Sequence, residues 1–308
     1  MQNVTPLRYP GGKAALTDLL RQIIELNRFG NRRYVEPFAG GAGAGIGLLL
    51  SEAVDGVLLN DLDYRIYCFW HSVIKRPNDL KRLIASTPVN IRQWRKQRQI
   101  YRSPLCHTWL HIGFATLYLN RCNRSGIIGN GGPIGGVDQS GKWKIDVRFN
   151  KEELQRRIDR IAEYANRIEI SRLDALECLQ RVNSFEEIRP SFVYLDPPYY
   201  RKGPYLYLNA LEHDDHVRLA EFLRTKATFP WVMTYDDTPQ IRAMYDWCRV
   251  TRYSLRYSAQ RKGFGSEILI SPPTLQLPLQ QRSESVRWSI PTRRRLVRSG
   301  VPTKRRRA

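Results

Sequence analysis

The most constraining stretch of the chain is Ser191–Tyr200, which reads Ser-Phe-Val-Tyr-Leu-Asp-Pro-Pro-Tyr-Tyr. Phe192–Leu195 is a short apolar, aromatic and β-branched run, the pattern of a buried strand. It stops at Asp196. Pro197 fixes its own φ and pushes Asp196 out of the α region, and Pro198 does the same to Pro197. This predicts a stiff loop at the C-terminal end of a strand, where open α/β sheets place their ligands. The loop presents a carboxylate, the Pro197 carbonyl and an aromatic face at Tyr199. An amino group on a flat ring suits it: Asp196 accepts one N–H, Pro197 the other, and Tyr199 stacks on the ring. The expected catalytic set is Asp196, Pro197, Pro198 and Tyr199. A strand followed by a plain Pro-rich turn with a surface Asp is the alternative, because Asp-Pro is a common turn starter.

Other segments repeat the strand-and-turn theme. Arg33–Phe38 is strand-like and runs into the glycine-rich Phe38–Gly47, with Leu48–Glu52 continuing as helix. Strand, glycine loop and helix open a nucleotide-binding α/β unit. No Gly-x-Gly-x-x-Gly register fits, which disfavours a dinucleotide. Val57–Leu59 is a second strand ending in Asn60-Asp61. Asp61 stands 20 residues after Gly41, a spacing that suits an acid binding a ribose diol; a surface turn is the alternative. Pro10-Gly11-Gly12-Lys13 precedes a helix over 14–26 and could meet an anion, although it lacks the rest of a Walker A loop. Ile168–Ser171 reads as a strand with Asp174 just beyond it. Trp231–Tyr235 reads as a strand with a turn at Asp236-Asp237-Thr238-Pro239, and Tyr253–Ser258 with Glu267–Ser271 as an antiparallel pair. His213-Asp214-Asp215-His216 reads as the acidic first turn of a helix rather than a metal site. The fold class is therefore α/β, with no metal expected.

Between residues 64 and 166 the pattern is mostly helical. Tyr64–Asn90, Trp109–Leu119 and Lys151–Asn166 carry helical periodicity. Ile91–Tyr101 interleaves Arg92, Arg95, Lys96 and Arg98 with Trp94 and Tyr101. Arg121–Phe149 is glycine-rich, and Lys142–Phe149 alternates like a strand. This predicts a hairpin or loop exposing Arg121, Arg124, Lys142, Lys144 and Arg148, suited to backbone and groove contact with a duplex; a solvated hairpin is the alternative. The net charge of +21 over 308 residues favours a polyanionic partner. From Ser271 to Ala308, ten Lys/Arg face Glu284 alone, a net of +9, and periodicity is lost. The five cysteines are scattered without metal-ligand spacing, as in a reducing compartment. Neither a membrane-length apolar run nor a signal-peptide pattern is present.

Taken together, Pro6–Lys13, Val35–Gly43, Asn60-Asp61, Leu119–Gly126, Asp196–Tyr199, Thr234–Pro239 and Arg261–Leu269 resemble the Dam-type DNA adenine-N6 methyltransferases of the D12 class. The resemblance runs from about residue 5 to 271. Glycine block first, helical insert next and Asp-Pro-Pro-Tyr last is similar to the alpha group of amino-methyltransferases. It implies a Rossmann-like sheet that uses S-adenosylmethionine, formed by residues 1–64 and 166–272. A helical target-recognition domain with the Gly-rich hairpin would span 65–165, and a basic flexible tail 273–308. Tyr9 would pack near the cofactor, and Lys13 would hold a cofactor-side acid or the methionine carboxylate. Glu36, Phe38, Gly40 and Gly41 would cradle the methionine moiety. Asp61 would take the ribose hydroxyls and Asp174 the adenine region. Asp196 would lie between cofactor and target adenine, with Tyr199 on the target. Arg92, Arg95, Lys96, Arg121, Asn123, Arg124, Lys142 and Lys144 are the implied DNA contacts. The implied setting is a monomer on double-stranded DNA in the cytoplasm, at the nucleoid, with a cognate restriction enzyme as second partner and no membrane. One departure is Tyr9-Pro10, where better-known members carry Trp-Ala; the aromatic is kept. An RNA or protein-glutamine methyltransferase, whose Pro-Pro-Tyr loop usually begins with Asn, and a DNA-binding protein with an inactive site are the alternatives.

Overall fold

The apolar runs that end in an acid or a turn assemble into one sheet. In the structure, a computed structural model, residues 4–8, 16–201, 211–255, 265–278 and 286–288 are described. The strands are β1 (Arg33–Glu36), β2 (Gly56–Asn60), β3 (Ile168–Ser171), β4 (Ser191–Leu195), β5 (Trp231–Asp236), β6 (Arg249–Leu255), β7 (Gly265–Ser271) and β8 (Val286–Trp288). Their order is β3-β2-β1-β4-β5-β7-β6-β8. The first five are parallel and the last three pair antiparallel. Strand order runs outward in one direction from β1 to β3 and in the other from β4. The crevice between the C-terminal ends of β1 and β4 is therefore a topological switch point.

Side-chain alternation splits the interior in two. Tyr34, Phe192, Tyr194 and Val232 join one apolar cluster, and their neighbours Val35, Val193, Leu195 and Met233 join the other. Both faces of β4 and β5 are buried, the rule for parallel strands covered by helices. The first cluster is covered by α1 (Thr17–Leu26), α2 (Gly43–Leu50), α3 (Tyr64–Lys75), α4 (Pro77–Ser86), α5 (Ile91–Arg102), α6 (Trp109–Cys122) and α7 (Lys151–Ala162). The second is covered by α8 (Ala175–Ser184), α9 (His213–Thr225) and α10 (Pro239–Met244). The helical run expected over 64–90 breaks at Arg76, because Pro77 starts a new helix. Asp214 and Asp215 do lie in the first turn of α9, with Glu212 and Asp215 forming its capping box. Among the described residues, no helix is long and apolar enough to cross a membrane.

The α3–α6 contact is unusually close. A Cβ on Gly113 would stand 2.5 Å from Ser72 Oγ and 2.6 Å from the Cys68 carbonyl oxygen. Gly→Ala in a helix interior normally stabilises by about 1 kcal/mol. Here the sign reverses: Gly113→Ala is expected to cost about 1–3 kcal/mol through overpacking, seen as a lower thermal midpoint with the helical signal intact.

Two expectations are corrected. Lys142–Phe149 is a series of bends and turns, not a strand. Its alternation reflects Ile145 and Phe149, which are buried among the helices, with the Phe149 ring 5.2 Å from Tyr118. The loop is stitched by Gln139, whose amide donates to the carbonyls of Ile134 (2.8 Å) and Gly136 (2.5 Å) and accepts from Ile145 N (2.9 Å). The expected tail also begins as part of the body. Leu275 and Leu277 are buried. The Asn27 amide brackets Gln276, donating to its carbonyl at 2.8 Å and accepting its N–H at 3.0 Å. Arg249 donates to the carbonyls of Pro273 and Leu275, and β8 extends the sheet beyond β6. These links are made by backbone atoms, which leave no periodic trace in side-chain pattern.

Candidate active site

At the end of β1, Glu36 is 4% exposed and accepts a hydrogen bond from Gly45 N, in the first turn of α2, at 2.8 Å. Burial pushes its carboxyl up to about 8, and the charge of Asp196 adds to the rise. The following turn needs left-handed backbone at Gly40 (φ 47°) and Ala42 (φ 44°). It is held by Asp61, whose Oδ2 accepts from Gly40 N at 2.8 Å, and by Trp70, whose Nε1 donates to the Gly40 carbonyl at 2.9 Å. Asp61 Oδ1 accepts from Asp63 N at 2.9 Å. Burial pushes the Asp61 carboxyl up to about 7. Asn60 ties three strand ends together. Its amide donates to the carbonyls of Pro37 and Leu173 and accepts from Ser171 Oγ and Leu173 N.

At the end of β4, Asp196 Oδ1 accepts from Thr234 Oγ1 at 2.7 Å. Thr234 Oγ1 also lies 2.9 Å from Tyr194 Oη. A hydroxyl has one proton, so Thr234 gives it to the carboxylate and Tyr194 donates to Thr234. Burial, then the charge of Asp196, holds the Tyr194 phenol far above its usual range, so it remains a donor. Further along the loop, both oxygens of Asp236 are used: Oδ1 accepts from Tyr200 N and Oδ2 from Arg201 N, each at 3.0 Å. Tyr200 packs against α9, with its hydroxyl 2.9 Å from His213 Nδ1 and its ring 5.2 Å from His216.

Strands β2 and β4 flank β1 on either side. Asp61 and Asp196 therefore follow strand ends about 10 Å apart, two inter-strand spacings, with Glu36 between them. Three carboxylates thus end or follow adjacent strands in a chain of net charge +21.

The family model for the D12 class N6 adenine-specific DNA methyltransferase matches residues 9–258. The chain belongs to this family. It is an enzyme that acts on DNA, methylating adenine at N6. No curated protein matches it.

In this adenine methyltransferase, Glu36, Phe38, Gly40, Gly41, Asp61, Asp196 and the Pro197-Pro198-Tyr199 loop lie at or just after the C-terminal ends of the adjacent strands β1, β2 and β4. Asp174 lies just beyond β3, exposed, where it caps α8 by accepting from Leu176 N at 2.9 Å. Tyr9 and Lys13 fall outside the described residues. Arg92, Arg95 and Lys96 are exposed on α5, and Arg124, Lys142 and Lys144 are exposed on the Gly-rich loop. Two expected DNA contacts are corrected. Arg121 is 8% exposed and its Nε donates to the Pro6 carbonyl at 2.6 Å. Burial, with Arg157 and Arg8 nearby, pushes its guanidinium down to about 9. Asn123 is fully buried: it accepts from Trp94 Nε1 at 2.7 Å and donates to the carbonyls of Ile127 and Ile128. Both fasten the protein to itself.

Thr234, Asp236, Tyr194 and Asn60 hold these strand ends, a role the sequence pattern did not assign to them, although Asn60-Asp61 and Thr234–Pro239 lie in the segments that carry the resemblance. A signal existed for the first two. Strand alternation puts residues 234 and 236 on one face, directly beside the strand that carries the Asp-Pro-Pro-Tyr loop.

Proposed function

We propose that the enzyme transfers the methyl group of S-adenosylmethionine to N6 of an adenine turned out of a DNA duplex, in the manner of the Dam-type alpha group. The observation that carries this reading is the Asp196 carboxylate, steadied by the Tyr194–Thr234 hydroxyl pair at the same strand edge as Glu36 and Asp61.

The residues fit such a cofactor. Its methionine end is cationic at the sulfonium and ammonium, and the crevice is acidic. Glu36, Phe38, Gly40 and Gly41, with Tyr9 and Lys13, would hold the methionine end. Asp61 would accept from the ribose hydroxyls, using lone pairs beyond those engaged by Gly40 N and Asp63 N. Asp174 would stand toward the adenine. S-adenosylmethionine, when bound, supplies an electrophilic methyl group.

The protein's own part is positional and electrostatic. The amino group of a stacked adenine is inaccessible, so the base must leave the helix. Tyr199 would replace a lost stacking neighbour, worth roughly 1–3 kcal/mol. Asp196 and the Pro197 carbonyl would each accept an N–H from N6, turning its lone pair out of the ring. Both contacts strengthen as N6 becomes positive, so they favour the transition state over the ground state. Residues 65–165 would recognise the target, with Arg92, Arg95, Lys96, Arg124, Lys142 and Lys144 reaching the phosphates.

The test is incorporation of labelled methyl groups from S-adenosylmethionine, followed by nucleoside analysis. N6-methyladenine is expected in duplex DNA. Label in RNA alone, or on cytosine, would overturn the reading.

A further inference from the structure

Two adjacent acids end β5, and they do different things. Asp237 is occupied by ion pairs with Arg242 and Arg252. Asp236, 8% exposed, makes bonds to the backbone of the Asp-Pro-Pro-Tyr-Tyr loop, accepting from Tyr200 N and Arg201 N. Asp196, at the other end of that loop, is held by Thr234, two residues earlier on the same face of β5. Between the two anchors lie Pro197 and Pro198, which have no N–H, and Tyr199. One strand face thus fixes both ends of a segment whose only residue outside the prolines is the tyrosine.

We infer that Asp236 is a positioning residue for methyl transfer: its two oxygens clamp consecutive backbone N–H groups and thereby set where Tyr199 and the Pro197 carbonyl stand. This rests on the proposed role of the loop in gripping the base. The two tyrosines then divide the work. Tyr200 docks on α9 through His213 and His216, and Tyr199 serves the substrate. Displacing such groups by about 1 Å costs on the order of 100-fold in rate.

Acceptor count separates a clamp from a mere space-filler. Asp236→Asn keeps the size but turns one oxygen into a donor facing an N–H. Asp236→Glu keeps both acceptors on a longer stem. Asp236→Asn is expected to lower kcat about 100-fold, with S-adenosylmethionine affinity and thermal midpoint close to wild type. Asp236→Glu is expected to recover about tenfold or more of that loss. Wild-type kcat in Asp236→Asn, a collapse of its fold, or a Glu variant worse than the Asn variant would each overturn the clamp. Asp196→Ala, assayed alongside, keeps the two ideas apart. If it turns over normally, the proposed site is wrong. If it is dead while Asp236→Asn is fully active, only the clamp is wrong.

Discussion

Asp196→Ala is expected to reduce methyl transfer by about 1,000-fold, the scale of losing one preorganised group aimed at developing charge, while leaving the protein folded. The fold should survive for a local reason. Asp196 sits at the loop rim, half-buried, and Thr234 keeps Tyr194 as a partner after the carboxylate is gone. Its removal also takes a like charge away from Glu36, whose carboxyl Asp196 helps to hold high. The two effects oppose each other, since Thr234 loses the acceptor of its own proton, so the variant should stay folded with a thermal midpoint near the wild-type value at pH 8. Single-turnover labelling with saturating DNA and S-adenosylmethionine measures the loss without interference from product release. A variant that bound both partners and still transferred methyl at the wild-type rate would remove Asp196 from the chemistry.

Affinity for S-adenosylmethionine is expected to rise with pH between about 6 and 8, by tenfold or more if one proton is released on binding. The cause lies in two carboxyls. Burial raises Glu36 to about 8 and Asp61 to about 7, both above their ordinary values of 4.5 and 3.8. For an acid raised in the folded state, the associated stability is fully present below the unfolded value. It is lost as pH rises through the folded one, so the ligand-free protein should weaken from about pH 4 toward pH 8. A cation in the crevice favours the ionised forms and lowers both values. Binding at pH 6 must then expel protons, and binding above pH 8 need not. Calorimetry in buffers of different ionisation enthalpy counts the protons directly. Glu36→Gln should flatten the upper part of the profile, leaving the part due to Asp61. Proton uptake on binding, or a flat profile in the wild type, would show that the acids do not face the cofactor.

What could be read from the chain alone was whatever local covalent geometry dictates. Two prolines after Asp196 stiffen the loop wherever it lies. The glycines after Glu36 permit left-handed backbone at Gly40. The continuous apolar run of Phe192–Leu195 announces a strand buried on both faces, and Trp231–Tyr235 a second strand. These local rules suffice for the α/β class and for singling out Asp196 and Asp61; Glu36 enters only through the family resemblance. They do not say that the three acids belong to adjacent strands. That follows from β1 lying between β2 and β4, the latter paired with it through residues 158 positions apart, as Arg33 with Ser191.

The same limit explains the misplaced contacts. An arginine in a glycine-rich basic segment reads as exposed, yet Arg121 turns inward and donates to the Pro6 carbonyl. Asn123 is polar by composition but spends every group on Trp94 and two loop carbonyls. The sequence by itself determined the stiff Asp-Pro-Pro loop and the strand ends at Asp196 and Asp61, because proline, glycine and strand period act over a few residues. The tertiary structure alone decided which acids end adjacent strands, that burial raises Glu36 and Asp61, and that Thr234 and Asp236 hold the loop from the next strand. Those outcomes depend on strand order and desolvation, which no short-range pattern encodes.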